Sequence, residues 1–278
     1  MPTAAQELPA PLVERTLEKL GLGTIPSPNL KGLSELYEAW CRRVPFDNVR
    51  KLIHLSRKES GPLPGDSAAD FLTAWLRYGT GGTCWAGNGA LFSLLLSLRF
   101  DAKRGLATML AAPNLPPNHG TVVVDFGPDR YIVDASILHG TPLRVAEQPP
   151  TDAHLPWGVR LSRRDDAWII HWRPLHKPEG FECRIEGFEV PKHVFTDLHE
   201  KSRPWSPFNY QLYARINRAA SVIGTAFGQR VELGVSGTAQ QRPLEASARV
   251  RFLIEELAIS EEVASQLPPD TPTPPPPR

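Results

Sequence analysis

The chain has 278 residues, of which 41% are hydrophobic, with 31 lysines and arginines against 30 aspartates and glutamates. This length allows two or three packed units with a sizeable core. The near-neutral charge excludes a general field that attracts nucleic acid or an anionic membrane, and no apolar run approaches the ~20 residues that span a bilayer. We therefore expect neither a nucleic-acid partner nor a membrane role.

The predicted elements divide the chain into three parts and a tail. In residues 1–100, apolar residues recur at spacings of three and four, which predicts short amphipathic helices. Residues 101–200 consist of β-branched and aromatic runs between Gly, Pro and Asp, which predicts antiparallel sheet. The clearest of these predicted strands are 120–126, 131–133, 168–172 and 181–188.

The last third is mixed. We predict a helix over 207–227, a strand over 229–233 and a final helix over 243–257, all within a third part at 201–267. Prolines crowd residues 268–278, which predicts a disordered, extended tail, although a proline-rich ligand for an aromatic groove has the same composition. Helices followed by strands and then a mixed segment indicate an α+β fold rather than a doubly wound parallel sheet.

Cysteine usage indicates the cellular compartment. Cys41, Cys84 and Cys183 are too few and too widely spaced for a disulfide framework, which favours reduced thiols. The first residues lack a basic stretch that leads into an apolar segment, so the sequence predicts a cytoplasmic protein. No histidine pair stands at helical spacing with a carboxylate, and we expect no metal site.

One cysteine follows two glycines at the start of an apolar run. Cys84 comes directly after Gly81, Gly82 and Thr83, and the run behind it is long enough for a helix with Thr83 as its N-cap. A thiol in the first turn of a helix lies at the positive end of the dipole, which favours the thiolate that attacks acyl carbons. The N–H groups of that turn could also hold an oxyanion. The alternative, that Cys84 is a small buried hydrophobe, stays open at this point.

A nucleophilic cysteine needs a base and a group that orients the base. His119 begins a β-branched run and Asp134 ends the next one, with the turn signal Gly127-Pro128-Asp129 between them. This pattern predicts an antiparallel hairpin. If both side chains lie on one face of it, the order Cys84, His119, Asp134 predicts a catalytic triad.

The length of the hairpin loop decides whether His119 and Asp134 share a face. An even loop, such as 128–129 or 127–130, places Asp134 opposite Val123 or a near neighbour, on the face that carries His119. An odd loop would place the two side chains on opposite faces. The triad therefore requires an even loop.

Two other histidines are rivals for the role of base. His139 is the main one, although Gly140 and Pro142 indicate that it lies in a loop. His171 lies among apolar residues and is predicted to be a histidine on a strand face.

These residues resemble the arylamine N-acetyltransferase family, and the resemblance extends over most of the chain. Pro45-Phe46-Asp47-Asn48 is similar to the family's Pro-Phe-Glu-Asn, and residues 81–84 followed by Asn88 resemble its Arg-Gly-Gly-x-Cys motif. The histidine that begins a strand corresponds to His119, and the aspartate of Val-Asp-x-Gly-Phe-Gly corresponds to Asp134. Weaker matches lie at 206–208, Gly224 and 253–256.

The resemblance implies a fold and a reaction. It implies a helical bundle with the nucleophile, an antiparallel β-barrel with the histidine and aspartate, and a smaller α/β lid, around a core similar to that of papain and transglutaminase. Cys84 would take an acyl group from a thioester, and an amine nitrogen would then remove it. The implied donor is a coenzyme A thioester such as acetyl-CoA, the acceptor is a small-molecule arylamine, and no bound cofactor is implied. Phe46 and Trp85 are candidates to line the substrate pocket, or are plain core residues.

The chain also departs from the family. Thr80 stands where the family has Arg, Ala86 where it has Glu, and Ser136-Ile137-Leu138 where it has Gly-Phe-Gly. In the family these glycines make room for coenzyme A, so the side chains of Ser136 and Leu138 indicate a changed donor or acceptor. One alternative is an amide synthase of a natural-product pathway, fed by coenzyme A or an acyl carrier protein. A cysteine hydrolase and a non-catalytic binding protein with this fold are the others.

Overall fold

The computed structural model describes residues 8–112, 114–146, 158–234 and 237–276. The N-terminal part is helical, as predicted. Its helices are α1 (Ala10–Lys19), α2 (Leu30–Arg43), α3 (Val49–Ser56), α4 (Ala68–Tyr78) and α5 (Cys84–Ser97), with the short strand β1 (Phe46–Asp47) between α2 and α3. Within the described ranges, no helix combines the length and the apolar character needed to cross a bilayer.

Helix α5 is the central element of the N-terminal part. Ten of its 14 residues are buried, and it packs against α4, against the first strands of the neighbouring sheet and against a later helix. A helix that is apolar on all sides has no solvent face and belongs inside the core. Its first residue, Cys84, is therefore held by packing around the whole length of the helix.

The middle part forms one antiparallel sheet of seven strands, which confirms the prediction for this region. The strand order is β5-β4-β3-β2-β8-β7-β6, and the two outer strands also approach each other, so the sheet closes almost completely into a barrel. The strands are β2 (Asp101–Met109), β3 (His119–Phe126), β4 (Asp129–Val133), β5 (Leu143–Val145), β6 (Arg160–Arg164), β7 (Ala167–Trp172) and β8 (Phe181–Gly187).

A second antiparallel sheet, of order β1-β9-β10-β11-β12, completes the α+β fold. Its last four strands are β9 (Tyr213–Asn217), β10 (Ser221–Ala226), β11 (Gln229–Gly234) and β12 (Ala239–Pro243). The remaining helices are α6 (Lys192–Lys201), α7 (Arg249–Leu257) and α8 (Glu261–Ala264). Because β1 comes from the N-terminal part, this sheet joins the N-terminal part of the chain to its last third. The division at residues 100 and 200 stays a prediction.

The predicted helix over 207–227 is wrong. A single 3₁₀ turn at Pro207–Asn209 is followed by the paired strands β9 and β10. Every residue of β9 is buried, so the strand shows no alternation of polar and apolar residues that would reveal it. The strand predicted over 229–233 is confirmed as β11. The helix predicted over 243–257 begins only at Arg249.

The proline-rich tail is extended, and hydrogen bonds and an ion pair hold it against the rest of the protein. The expectation of disorder is therefore wrong for residues 268–276. The Asp270 carboxylate accepts a hydrogen bond from the Leu212 N–H at 2.9 Å and pairs with Arg249 at 2.9 Å. The Trp205 indole donates to the Pro274 carbonyl at 3.1 Å. Residues 277 and 278 lie outside the described ranges.

Candidate active site

Cys84 is the first residue of α5 and is partly exposed. Thr83 occupies the N-cap position with an extended backbone, as predicted, but its side chain makes no hydrogen bond to the first turn. The early N–H groups of a helix have no partner within the helix. In α5 they also lack a side-chain cap, so they remain available beside the thiol to a developing negative charge.

The two glycines before Cys84 are required by close packing. A Cβ atom on Gly81 would lie 1.7 Å from the Pro45 carbonyl oxygen, and one on Gly82 would lie 3.0 Å from the Phe71 ring. The Gly81 N–H donates to the Asp47 carboxylate at 2.6 Å. The segment before Cys84 is thus held against residues 45–47.

His119 and Asp134 lie on one face of the β3–β4 hairpin. Val122 pairs with Val133 and Val123 with Ile132, so the loop consists of residues 127 and 128. This even loop meets the condition that the triad requires, and Asp134 follows at the position opposite Thr121, a near neighbour of Val123. The His119 Nε2 and the Asp134 Oδ2 are 2.7 Å apart.

The imidazole is buried between a carboxylate and a thiol. Burial alone lowers the pKa of His119, but Asp134 and Cys84 outweigh it, and the pKa is raised. Burial alone raises the pKa of Asp134, but His119 and two backbone N–H groups outweigh it, and the pKa is lowered. Since Nε2 is engaged by Asp134, Nδ1 is the nitrogen left for the thiol. The structure therefore brings the three predicted triad residues together.

A ring of polar groups holds Asp134 in place. Its Oδ1 accepts from the N–H groups of Ser136 at 2.8 Å and Ile137 at 2.9 Å. Asn88, one turn along α5 from Cys84, donates to the Gly120 carbonyl at 2.6 Å and accepts from the Ala135 N–H at 2.9 Å. Asn88 therefore connects the helix that begins at Cys84 to the strand of His119 and the turn of Asp134.

The rival bases are placed elsewhere. His139 lies in a loop and is fully buried, with its Nδ1 2.6 Å from the Thr141 carbonyl oxygen. His171 lies on β7, as expected of a histidine on a strand face, and its Nε2 is 2.8 Å from the Ser162 hydroxyl. Only His119 has Cys84 and Asp134 as neighbours among these three histidines.

The two candidates for substrate contact occupy different places. Phe46 is a core residue, with its ring 5.3 Å from that of Phe208 and 5.6 Å from that of Tyr213. Trp85 packs edge-on against Phe195 and lines a cavity of about 150 Å³, whose wall does not include Cys84. Their role in substrate binding stays a prediction.

The segment 136–138, which departs most from the family pattern, lies in the core. Ser136, Ile137 and Leu138 are all buried. Leu138 has a φ of +53°, a conformation that glycine adopts without cost and leucine does not. The backbone thus keeps the conformation suited to glycine while a leucine side chain fills the adjoining core.

Sequence reasoning missed three supporting residues. Tyr37 binds the backbone at Asp134 through its hydroxyl, and Asp47 holds Gly81. Lys51 is 5% exposed and donates to the Ser202 hydroxyl at 2.8 Å. Burial lowers the pKa of Lys51 to about 8, while Cys84 and Glu200 oppose that shift. Only Asp47 stood in a recognisable motif.

The chain is similar to known proteins in sequence and in fold. No family model matches the chain. The arylamine N-acetyltransferase of Mycolicibacterium smegmatis is 28% identical over 177 residues, which cover 58% of this chain and 62% of that protein. The sequence match thus spans just under two thirds of that relative.

Solved structures match over a longer stretch. The Mycobacterium marinum arylamine N-acetyltransferase in complex with CoA has a TM-score of 0.77 at 19% identity, over 92% of this chain and 98% of that chain. The Nocardia farcinica enzyme has a TM-score of 0.76 at 18% identity, over 92% of each chain. These structures establish the fold, and the chain is similar in sequence and in fold to arylamine N-acetyltransferases.

Proposed function

We propose that the chain is an acyltransferase that forms amides through an acyl-cysteine at Cys84, with His119 as general base and acid and Asp134 orienting it. The observation that carries this proposal is the arrangement of the three residues: a thiol at a helix N-terminus, an imidazole beside it, and a buried carboxylate 2.7 Å from the imidazole. A nucleophile, its base and the group that orients the base are the parts that covalent acyl transfer needs.

The first half of the reaction acylates the protein. His119 takes the proton of the Cys84 thiol, and the sulfur attacks the carbonyl carbon of a thioester. The tetrahedral oxyanion lies near the uncapped N–H groups of the first turn of α5, whose dipole favours negative charge. The donor's carbon–sulfur bond then breaks, and its sulfur leaves with the proton from His119.

The second half releases the acyl group to an amine. The amine nitrogen attacks the carbonyl carbon of acyl-Cys84, and His119 removes the proton that the nitrogen loses. The bond from the acyl carbon to the cysteine sulfur breaks, an amide forms, and the proton returns to Cys84. Donor and acceptor occupy the nucleophile in turn, which is ping-pong kinetics.

A coenzyme A thioester, with acetyl-CoA first, is the proposed donor, and an arylamine is the proposed acceptor. The M. marinum protein of the same fold is described in complex with CoA, which supports this donor. The buried side chains of Ser136 and Leu138, which stand at the family's glycine positions, favour a second candidate. That candidate is an amide synthase whose donor is a different coenzyme A thioester or an acyl carrier protein.

Intact-protein mass spectrometry tests the proposal. The protein is incubated with acetyl-CoA and, separately, with longer acyl-CoA thioesters, and Cys84→Ala serves as the blank. One added acyl mass that requires Cys84 is expected, and the thioester that gives it identifies the donor. If folded protein gains no mass from any donor, a non-catalytic member of the fold is the better description.

A further inference from the structure

Arg104, on β2, carries a guanidinium that is buried without a counter-charge. The residue is 8% exposed, and within the part of the chain that the structure describes its side chain makes no hydrogen bond or ion pair. The guanidinium carbon lies 3.8 Å from the centroid of the Phe92 ring and 5.9 Å from that of Phe195. Aromatic faces attract a cation but leave its N–H donors without an in-plane acceptor.

Burial lowers the pKa of Arg104 to about 10, because a guanidinium removed from water without a charged partner loses its hydration. An anion bound beside the guanidinium would restore that lost stabilisation.

The side chain of Arg104 lines the cavity of about 150 Å³ between α4, α5 and α6. Lys192, the exposed first residue of α6, also lines it. Both residues also line an adjoining groove of about 670 Å³. A cavity with an unpaired guanidinium in its wall is therefore open to a ligand from the surface.

The first turn of α4 lies at the same cavity. Ser67, Ala68 and Ala69 are part of its lining. The Ser67 hydroxyl caps the Asp70 N–H at 3.1 Å, and the two alanine N–H groups precede the first N–H that can bond within the helix. The positive end of an 11-residue helix dipole is thus added to the charge of Arg104.

The charges around the cavity leave a positive balance. Asp66 lines it and opposes Arg104 and Lys192. His199 also lines it but is uncharged at neutral pH, because burial and Lys51 lower its pKa to about 4. One negative side chain thus stands against two positive ones.

We propose that this cavity binds a phosphate-type oxyanion, held by the fork of the Arg104 guanidinium and the first turn of α4, with Lys192 at the rim. Arginine matches such an anion with two parallel N–H donors. Free phosphate and a phosphate group carried by a coenzyme share this chemistry. The site is distinct from the triad, since Cys84 does not line it.

Isothermal titration calorimetry at constant ionic strength tests the site, with inorganic phosphate, coenzyme A and 3′-dephospho-coenzyme A as ligands. Arg104→Met keeps the apolar stem over Phe92 and removes the donors. It is expected to weaken binding at least tenfold, and Lys192→Met severalfold. Arg15→Met removes one exposed positive charge on α1 and should bind like the unmodified protein.

The outcomes distinguish free phosphate from a coenzyme phosphate as the ligand, and they distinguish this site from the proposed acyl transfer. Phosphate binding that depends on Arg104 identifies a free anion, and binding of coenzyme A alone that depends on Arg104 identifies a coenzyme phosphate. Circular dichroism checks folding, and Arg104→Lys, which keeps the charge but not the fork, should lose affinity severalfold if Arg104→Met does not fold. Unchanged affinity in a folded Arg104 variant, or no binding of either ligand to the unmodified protein, would overturn the site. Calorimetry measures binding and needs no turnover, so Cys84→Ala, which cannot be acylated, should bind like the unmodified protein, and this test is independent of the proposed reaction.

Discussion

The hydroxyl of Tyr37 is bonded to both backbone groups of Asp134. It donates to the Asp134 carbonyl oxygen at 2.8 Å and accepts from the Asp134 N–H at 3.0 Å. It also accepts from the His139 N–H at 3.1 Å. A single side chain from α2 thus forms hydrogen bonds with the backbone of the buried turn at Asp134.

Tyr37→Phe should therefore reduce stability and acylation together. The substitution leaves the N–H groups of Asp134 and His139 without their partner, while the Asp134 carbonyl still accepts from the Leu138 N–H at 3.0 Å. Each lost partner costs about 1–3 kcal/mol before relaxation. We expect a loss of about 2–3 kcal/mol in the free energy of unfolding, measured by urea denaturation. Tyr210→Phe is the control, because the Tyr210 hydroxyl has no hydrogen bond among the described residues. Equal stability of the two variants would refute the role given to Tyr37.

Asp134→Asn should slow acylation of Cys84 by at least about 100-fold, the scale of a positioned general base. The amide keeps the shape of the carboxylate but cannot stabilise a charged His119. Single-turnover acylation, followed by mass spectrometry, measures the effect. Asp125→Asn, at the other end of the hairpin where Asp125 pairs with Lys103 and Arg130, should leave the rate within about threefold. A similar rate in Asp134→Asn would remove Asp134 from the mechanism.

The His119–Asp134 pair should make stability depend on pH. The pKa of His119 is raised from its ordinary value of 6.5 to about 10 in the folded protein. Its contribution is therefore complete below about pH 6.5 and is lost as the pH rises toward 10. Over this range the unmodified protein should lose more unfolding free energy than His119→Gln in denaturation series. Parallel profiles for the two proteins would contradict the ion pair.

Only one of the three cysteines should react with an alkylating agent in the native protein. Burial raises the pKa of Cys41 to about 12, and burial also raises that of Cys183 well above its ordinary value, so both stay protonated. Cys84 is partly exposed beside His119. Iodoacetamide should add one equivalent, absent from Cys84→Ala and present in Cys41→Ala and Cys183→Ala. Labelling of Cys41 or Cys183 in folded protein would show that Cys84 is not the reactive thiol.

Two glycine substitutions distinguish the effect of close packing on stability from the effect of helix propensity. Gly81→Ala places a Cβ against the Pro45 carbonyl, and we expect a loss of several kcal/mol or no folded protein. Gly89→Ala lies inside α5 with nothing within 4 Å of the added atom, so it should be neutral or raise stability by up to about 1 kcal/mol. Thermal denaturation compares them, and a tolerated Gly81→Ala would refute the packing argument.

The proximity of Cys84, His119 and Asp134 was predictable because each residue is marked by local sequence. Cys84 follows two glycines at a helix start, and a turn signal separates the strand of His119 from the strand that leads to Asp134. The parity of the hairpin follows from its two-residue loop, which the structure provides. The exact register was not predictable, since a two-residue shift preserves the alternation.

The supporting contacts were not predictable because they depend on distant segments. Tyr37 is 97 residues from Asp134 along the chain, and nothing near Tyr37 marks it as different from a core tyrosine. The strands β9 and β10 were mistaken for a helix because burial on both faces removed the alternation of a strand. The proline-rich composition likewise predicts a disordered tail, because composition does not show the contacts that Asp270 makes with Leu212 and Arg249.

Transfer from an isolated acyl-protein tests the central claim most directly. Protein acylated on Cys84 is freed of donor and then mixed with an arylamine or with buffer alone, and the acyl mass on the protein and the amide in solution are measured. Acyl transfer predicts rapid loss of the acyl group with an equal yield of amide, and slow loss in buffer. Loss to water at the same rate with and without amine, and no amide, would contradict it and indicate a hydrolase.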